Sequence, residues 1–170
     1  QPMTSQNRRY VIVYNGEVYN AADLSMEMQK IGIYFRGHSD TEVILEGIST
    51  WGLEKLIERL IGMFAFAVWD RQEQTLHLVR DRLGIKPLYW GQIGSKFVFA
   101  SELKAIRNLP NTNLVINRNA VVSLLRHNYI LGPLSIYKGI EKVPAGSIIS
   151  IGKTKTPNVT RYWNVVSLAE

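Results

Sequence analysis

The chain contains no cysteine among its 170 residues, which excludes disulfides, thiolate metal sites and any thiol nucleophile supplied by the chain itself. It has three histidines, His38, His77 and His127, too far apart in sequence to form a helical metal pair. No apolar run approaches the roughly 20 residues needed to span a bilayer. Gln1–Arg9 has no apolar core of a signal peptide, so the cytoplasm is the expected location. Runs of one charge are missing too. The formal charge is +6 and the pI about 9.6, but the basic residues are scattered, with no run of five and no basic helix. A solvated basic surface is expected, and neither nucleic acid nor membrane is expected as a partner.

What is present suits one compact domain: 46% hydrophobic and 20% charged residues are ordinary for a globular protein. Gln1–Arg9 is polar, lacks an initiator Met and reads as a cut end. Tyr10–Tyr14 is an apolar strand that stops at Asn15-Gly16, and Asn20 opens a helix whose inner face is Leu24, Met28 and Ile31, with Gly32 as its stop. A short strand-like segment, Tyr34–Arg36, returns the chain. Ser39 and Glu42 have the spacing of a capping box, ahead of a face carrying Val43, Ile44, Ile48 and Trp51. Leu53, Leu56, Ile57 and Leu60 follow on a further helical stretch.

From Gly62 the period changes. Met63–Trp69 is continuously apolar and aromatic, as a strand buried on both faces would be, and Thr75–Arg80 reads as its hairpin partner. Leu88–Gly91 and Lys96–Ala100 are two more strands. Ser101 caps a helix over Glu102–Asn108, and Asn117 opens another with Val121, Val122, Leu124 and Leu125 on its apolar face. Strands return after Ile136, including Ser147–Ile151, and Thr154–Val159 is linker-like. Helices and antiparallel hairpins in one domain make the class α+β.

Several groups could carry chemistry. The Asn15 side-chain amide and the Gly16 N–H could together hold an oxyanion, although Asn-Gly equally fits a type I′ hairpin turn. Glu17 suits the positive end of the following helix. Asp40 could bind an ammonium group or serve only as a helix entry. Arg80–Tyr89 reads as a buried ion-pair turn, with the spacing of no phosphate loop.

Taken in order, Tyr10–Asn20, His38–Glu42, Gly62–Asp70, Arg80–Tyr89 and Phe99–Ala105 closely resemble the glutaminase domain of glutamine-hydrolysing asparagine synthetases. The likeness continues more weakly through Tyr137–Ile140 and Lys142–Gly146 to Arg161-Tyr162-Trp163. The resemblance implies the N-terminal-nucleophile hydrolase fold, a four-layer αββα sandwich of two antiparallel sheets between helices, here without its first strands. The domain expected is a partial class II (type 2) glutamine amidotransferase over 1–153, with 154–170 a linker towards an absent synthetase domain.

The resemblance also implies roles. Asn15 and Gly16 match the oxyanion hole for the glutamine side-chain carbonyl, and Glu17 and Asp40 match residues that hold the glutamine main-chain groups. The family's nucleophile is an N-terminal cysteine, and a further upstream arginine grips the glutamine carboxylate; neither is in this chain. L-glutamine is the expected ligand, no cofactor is expected within the chain, and ATP and Mg belong to the absent synthetase domain. Exposed sheet edges would favour a homodimer, strand exchange or aggregation unless a partner covers them. A nucleophile-free binding or assembly module of the same fold, or another class II amidotransferase, such as those feeding purine or glucosamine synthesis, are the alternative readings.

Overall fold

The computed structural model describes residues 1–154 and 156–166. The chain divides into two compact units, Gln1–Lys86 with Ala145–Glu170, and Pro87–Pro144.

The first unit is built on a six-stranded antiparallel sheet in the order β1-β2-β3-β4-β8-β9. Its strands are β1 (Met3–Thr4), β2 (Tyr10–Val18), β3 (Gly62–Asp70), β4 (Thr75–Arg80), β8 (Ser147–Ile151) and β9 (Pro157–Arg161). Three helices, α1 (Ala21–Lys30), α2 (Asp40–Trp51) and α3 (Leu53–Arg59), precede β3. One sheet face and these helices share a core of Ile12, Val18, Phe64, Phe66, Val68, Val79 and Ile148 against Leu24, Met28, Ile44, Ile48, Leu56 and Ile57. The continuous apolar run becomes β3, with Phe64 to Val68 all buried. Ala65, Ala67, Leu78 and Ile149, whose parity puts them on the opposite face, are buried as well.

The second unit carries a three-stranded antiparallel sheet, β6-β5-β7, from β5 (Tyr89–Ile93), β6 (Lys96–Ala100) and β7 (Ile140–Lys142), with helices α4 (Leu103–Arg107) and α5 (Arg118–His127). Gly91 leaves no room for a side chain, because a Cβ would overlap the Gly139 carbonyl oxygen on the β7 side. Val98, Ile106 and Ile140 form its small core.

Several local expectations change. Asn15-Gly16 neither ends the first strand nor turns it: β2 runs on to Val18, with Asn15 opposite Ala65 and Gly16 opposite Phe64. Tyr34–Arg36 is not a strand, because the Arg36 and Gly37 amides donate to the Glu42 carboxylate at 2.8 and 2.9 Å instead of to a ladder. The capping box is therefore half formed. The Ser39 hydroxyl accepts from the Glu42 N–H at 3.2 Å, while the Glu42 side chain is engaged elsewhere. Ile31 is the C-cap of α1 and lies exposed, and the N-cap of α4 is Glu102 rather than Ser101. In α5 the inward positions are the small Ala120 and Ser123, leaving Val122, Leu124 and Leu125 exposed. Past the expected boundary at 153, β9 joins the sheet on β8; residues 155 and 167–170 of that supposed linker lie outside the described residues.

The ends of β2 and β3 are pinned by Arg9 and Asp70. The Arg9 guanidinium donates to both Asp70 oxygens, Nε at 3.0 Å and Nη2 at 2.6 Å, and the Gln72 and Glu73 amides donate to Asp70 Oδ1. Burial pushes the Asp70 carboxyl up, but these hydrogen bonds and the Arg9 charge outweigh it and hold the pKa below 3.8. A depressed carboxyl pKa adds stability that is complete above the unfolded-state value near pH 4 and is lost as pH falls through the folded value. Asp70→Asn is expected to cost about 2 kcal/mol at pH 7 and to flatten the decline in stability below pH 4. Urea midpoints measured across that range check this, and an unchanged acid limb would contradict it.

Candidate active site at the open edge of strand β2

The site begins with which way the β2 amides point. The Phe64 N–H donates to Asp81 Oδ2 at 3.2 Å, and its carbonyl accepts from the Asp81 N–H at 2.8 Å, so both polar groups of Phe64 face the β4 side. In an antiparallel pair the residue opposite must then be a non-hydrogen-bonded partner. Gly16, opposite Phe64, therefore turns its N–H and carbonyl away from β3.

β1 does not cover that edge, since it pairs only with Val11 and Ile12. The neighbouring outward groups have side-chain partners. At Tyr14 the Gln1 side-chain amide takes both, accepting from the N–H at 2.7 Å and donating to the carbonyl at 2.8 Å. At Val18 the N–H donates to Asp40 Oδ2 at 3.1 Å. Between them the Gly16 N–H faces the open edge as a donor. Only glycine fits there, because a Cβ would overlap the Met63 carbonyl oxygen and lie 2.7 Å from Phe64 Cα.

Strand alternation separates the remaining groups. Tyr14, Gly16 and Val18 share the helix-packed face, while Asn15 and Glu17 project from the opposite face and are exposed. Asp40 reaches β2 from the first turn of α2. Its Oδ2 accepts from the Tyr14 hydroxyl at 2.6 Å as well as from Val18, leaving Oδ1 without a hydrogen bond among the described residues. Burial and then the Asp40 hydrogen bond raise the Tyr14 phenol far above its ordinary value, so it remains a donor throughout the physiological range.

The structure thus gathers Asn15, Gly16 and Glu17 on consecutive positions of one strand and fixes Asp40 at the same edge through Tyr14 and Val18. Chemically, this edge offers an amide side chain and a backbone N–H for a developing oxyanion, and carboxylates for an ammonium. Tyr14 is the residue that sequence reasoning missed. Within an apolar run it reads as core, and its hydroxyl is the sole sign of a polar task.

His38 is exposed, whereas His77 lies in β4 with Nδ1 2.8 Å from the Ser150 hydroxyl. Arg80–Lys86 is a turn organised on backbone amides: the Asp81 carboxylate accepts from Leu83, Ile85 and Lys86 at 2.9–3.1 Å in addition to Phe64. Among the described residues no cluster of three or more His, Cys, Asp or Glu side chains could hold a metal ion. No helix there is long and apolar enough to cross a membrane.

Comparison with known proteins bears on the fold and the family. The fold matches the glutamine phosphoribosylpyrophosphate amidotransferase of Bacillus subtilis with a TM-score of 0.70 at 24% identity, covering 96% of this chain and 32% of that one. It also matches a glutamine aminotransferase class-II domain protein from Silicibacter pomeroyi with a TM-score of 0.55 at 17% identity, covering 92% and 69%. The class is therefore α+β with two antiparallel sheets, of the N-terminal-nucleophile hydrolase type. A family model described as a glutamine amidotransferase domain matches residues 1–163, and the chain belongs to that family.

Among relatives in sequence, asparagine synthetase (glutamine-hydrolyzing) 3 of Bacillus subtilis is 39% identical, over 98% of this chain and 27% of its own length. Asparagine synthetase (glutamine-hydrolyzing) 1 of the same organism is 34% identical, over 89% and 24%. The chain spans about a quarter of the length of these curated relatives.

The Tyr14–Asp40 contact should behave as a coupled unit. Tyr14→Phe and Asp40→Asn, alone and together, are expected to show a coupling of about 1–2 kcal/mol in denaturant unfolding. Additive effects would contradict the contact.

Proposed function

We propose that this domain binds L-glutamine along the open edge of β2, as the glutaminase portion of a glutamine-hydrolysing asparagine synthetase. The observation that carries the reading is the outward Gly16 N–H beside the Asn15 amide, with Asp40 fixed two residues further along the same edge. The glutamine side-chain carbonyl lies against Asn15 and Gly16, and the α-ammonium against Asp40 and Glu17. The names of relatives at 34–39% identity support asparagine synthesis as the purpose.

In a parent bearing a thiolate nucleophile, sulfur attacks the amide carbon and the carbonyl oxygen becomes an oxyanion held by the two donors. The amide nitrogen takes a proton and leaves as ammonia, and water then releases glutamate from the thioester. A synthetase domain would use the ammonia on aspartate activated by ATP with Mg. Removing one oxyanion donor in such a parent costs about 2.7–4 kcal/mol of barrier.

This chain supplies no cysteine, so it is expected to bind without turnover. Calorimetry should detect L-glutamine binding that weakens about tenfold or more in Asp40→Ala, with ammonia release no faster than the blank. Ammonia release that disappears on Asn15→Ala would overturn the claim of inactivity, and the absence of any glutamine heat would overturn the binding reading. Retained partner binding without glutamine binding would favour a pure assembly module.

A further inference from the structure

Away from the glutamine edge, a cavity of about 400 Å3 in the first unit is bordered by Thr4, Ser5, Gln6, Arg8, Arg36 and Arg71. Its three arginines come from three separate segments: the turn between β1 and β2, the connection from α1 to α2, and the hairpin from β3 to β4. Backbone hydrogen bonds hold each segment independently of the guanidinium groups. Arg8 N–H donates to the Ser5 carbonyl at 2.9 Å, and Arg71 N–H to the Arg9 carbonyl at 3.0 Å. Arg36 N–H donates to Glu42 Oε1 at 2.8 Å. One further contact ties two of them, from Arg71 Nη1 to the Arg8 carbonyl at 3.1 Å.

The acidic groups nearby are committed elsewhere. Asp70 holds Arg9 and two hairpin amides, with Glu73 3.8 Å from Arg9. Glu42 holds the Arg36 and Gly37 amides, and buried Glu46 accepts from the Gln6 N–H at 2.8 Å. Among the described residues none of Arg8, Arg36 and Arg71 enters an ion pair, whereas Arg9 and Arg59 do.

Three like charges brought round one cavity repel one another, and among the described residues only Arg36 has a nearby carboxyl, Glu46, that feels its charge. Guanidinium forks are matched in shape to phosphate oxygens, and three of them suit a polyvalent anion better than a monocarboxylate. We infer that Arg8, Arg36 and Arg71 form a binding site for a small phosphate-bearing polyanion, of the size of pyrophosphate or the phosphate tail of a nucleotide. The six bordering residues delimit a small-molecule site.

The test uses the intact chain and pyrophosphate. Calorimetry at low ionic strength is expected to show saturable binding that weakens as salt is raised, together with a rise in melting temperature. Arg36→Gln and Arg71→Gln should each weaken binding about tenfold or more, and Arg36→Gln should do so without lowering the melting temperature of the ligand-free chain. Arg126→Gln, which removes an exposed charge from α5, should leave binding unchanged. Three results would overturn the inference: no saturable binding, an equal loss in Arg126→Gln, or citrate bound as tightly as pyrophosphate.

Discussion

Asp81 sits 1% exposed where the end of β4 meets the turn that follows it, and its carboxylate collects backbone N–H groups from Phe64, Leu83, Ile85 and Lys86. A carboxylate withdrawn from water is costly unless its lone pairs are filled, and here four donors fill them. The main chain of the same residue receives Gly84 and Gly146 at its carbonyl and donates to the Phe64 carbonyl. One residue, through its side chain and its main chain together, thereby joins β3, the turn and the approach to β8. It also decides that Phe64 spends both polar groups on the β4 side. Since the ladder alternates, Gly16 must spend its own on the other, so the outward donor at the candidate oxyanion hole follows from a contact two strands away.

Around that donor the edge is finished by side chains. Gln1 closes the backbone of Tyr14, Asp40 closes Val18, and the Tyr14 hydroxyl holds the Asp40 carboxylate in place. Glycine at position 16, and also at 62, where a Cβ would lie 2.9 Å from Val18 Cα, lets β2 and β3 come close enough to keep this register. The use proposed for this edge puts a carbonyl oxygen between Asn15 and Gly16 and an ammonium towards Asp40.

Much of this was legible in the sequence where one signal dominated. The uninterrupted Met63–Trp69 run reads as a strand buried on both faces, and Phe64 to Val68 are so buried while Trp69 is exposed; the Leu24/Met28 and Ile44/Ile48 spacings are helical. Resemblance supplied the site residues as a set, which no single residue could have done. What stayed hidden depended on partners distant in sequence. Asn-Gly carries a strong turn signal, and only pairing with β3 turns it into mid-strand. Glu42 looked like a reciprocal cap because Arg36 and Gly37 were not known to stand over it. α5 was misread because its packing face is set by the small Ala120 and Ser123, which hydrophobicity does not rank as core. Arg8, Arg36 and Arg71 appeared as scattered surface charge because they lie in three different segments of the chain.

The central claim is that a glutamine carbonyl docks on the Gly16 N–H at the open edge of β2. It is tested most directly by following backbone amide resonances of the 15N-labelled chain during titration with L-glutamine. The account predicts saturable shifts largest at Gly16 and extending to Val18, with D-glutamine leaving them in place. Shifts confined to other parts of the chain, or equal responses to both enantiomers, would contradict it.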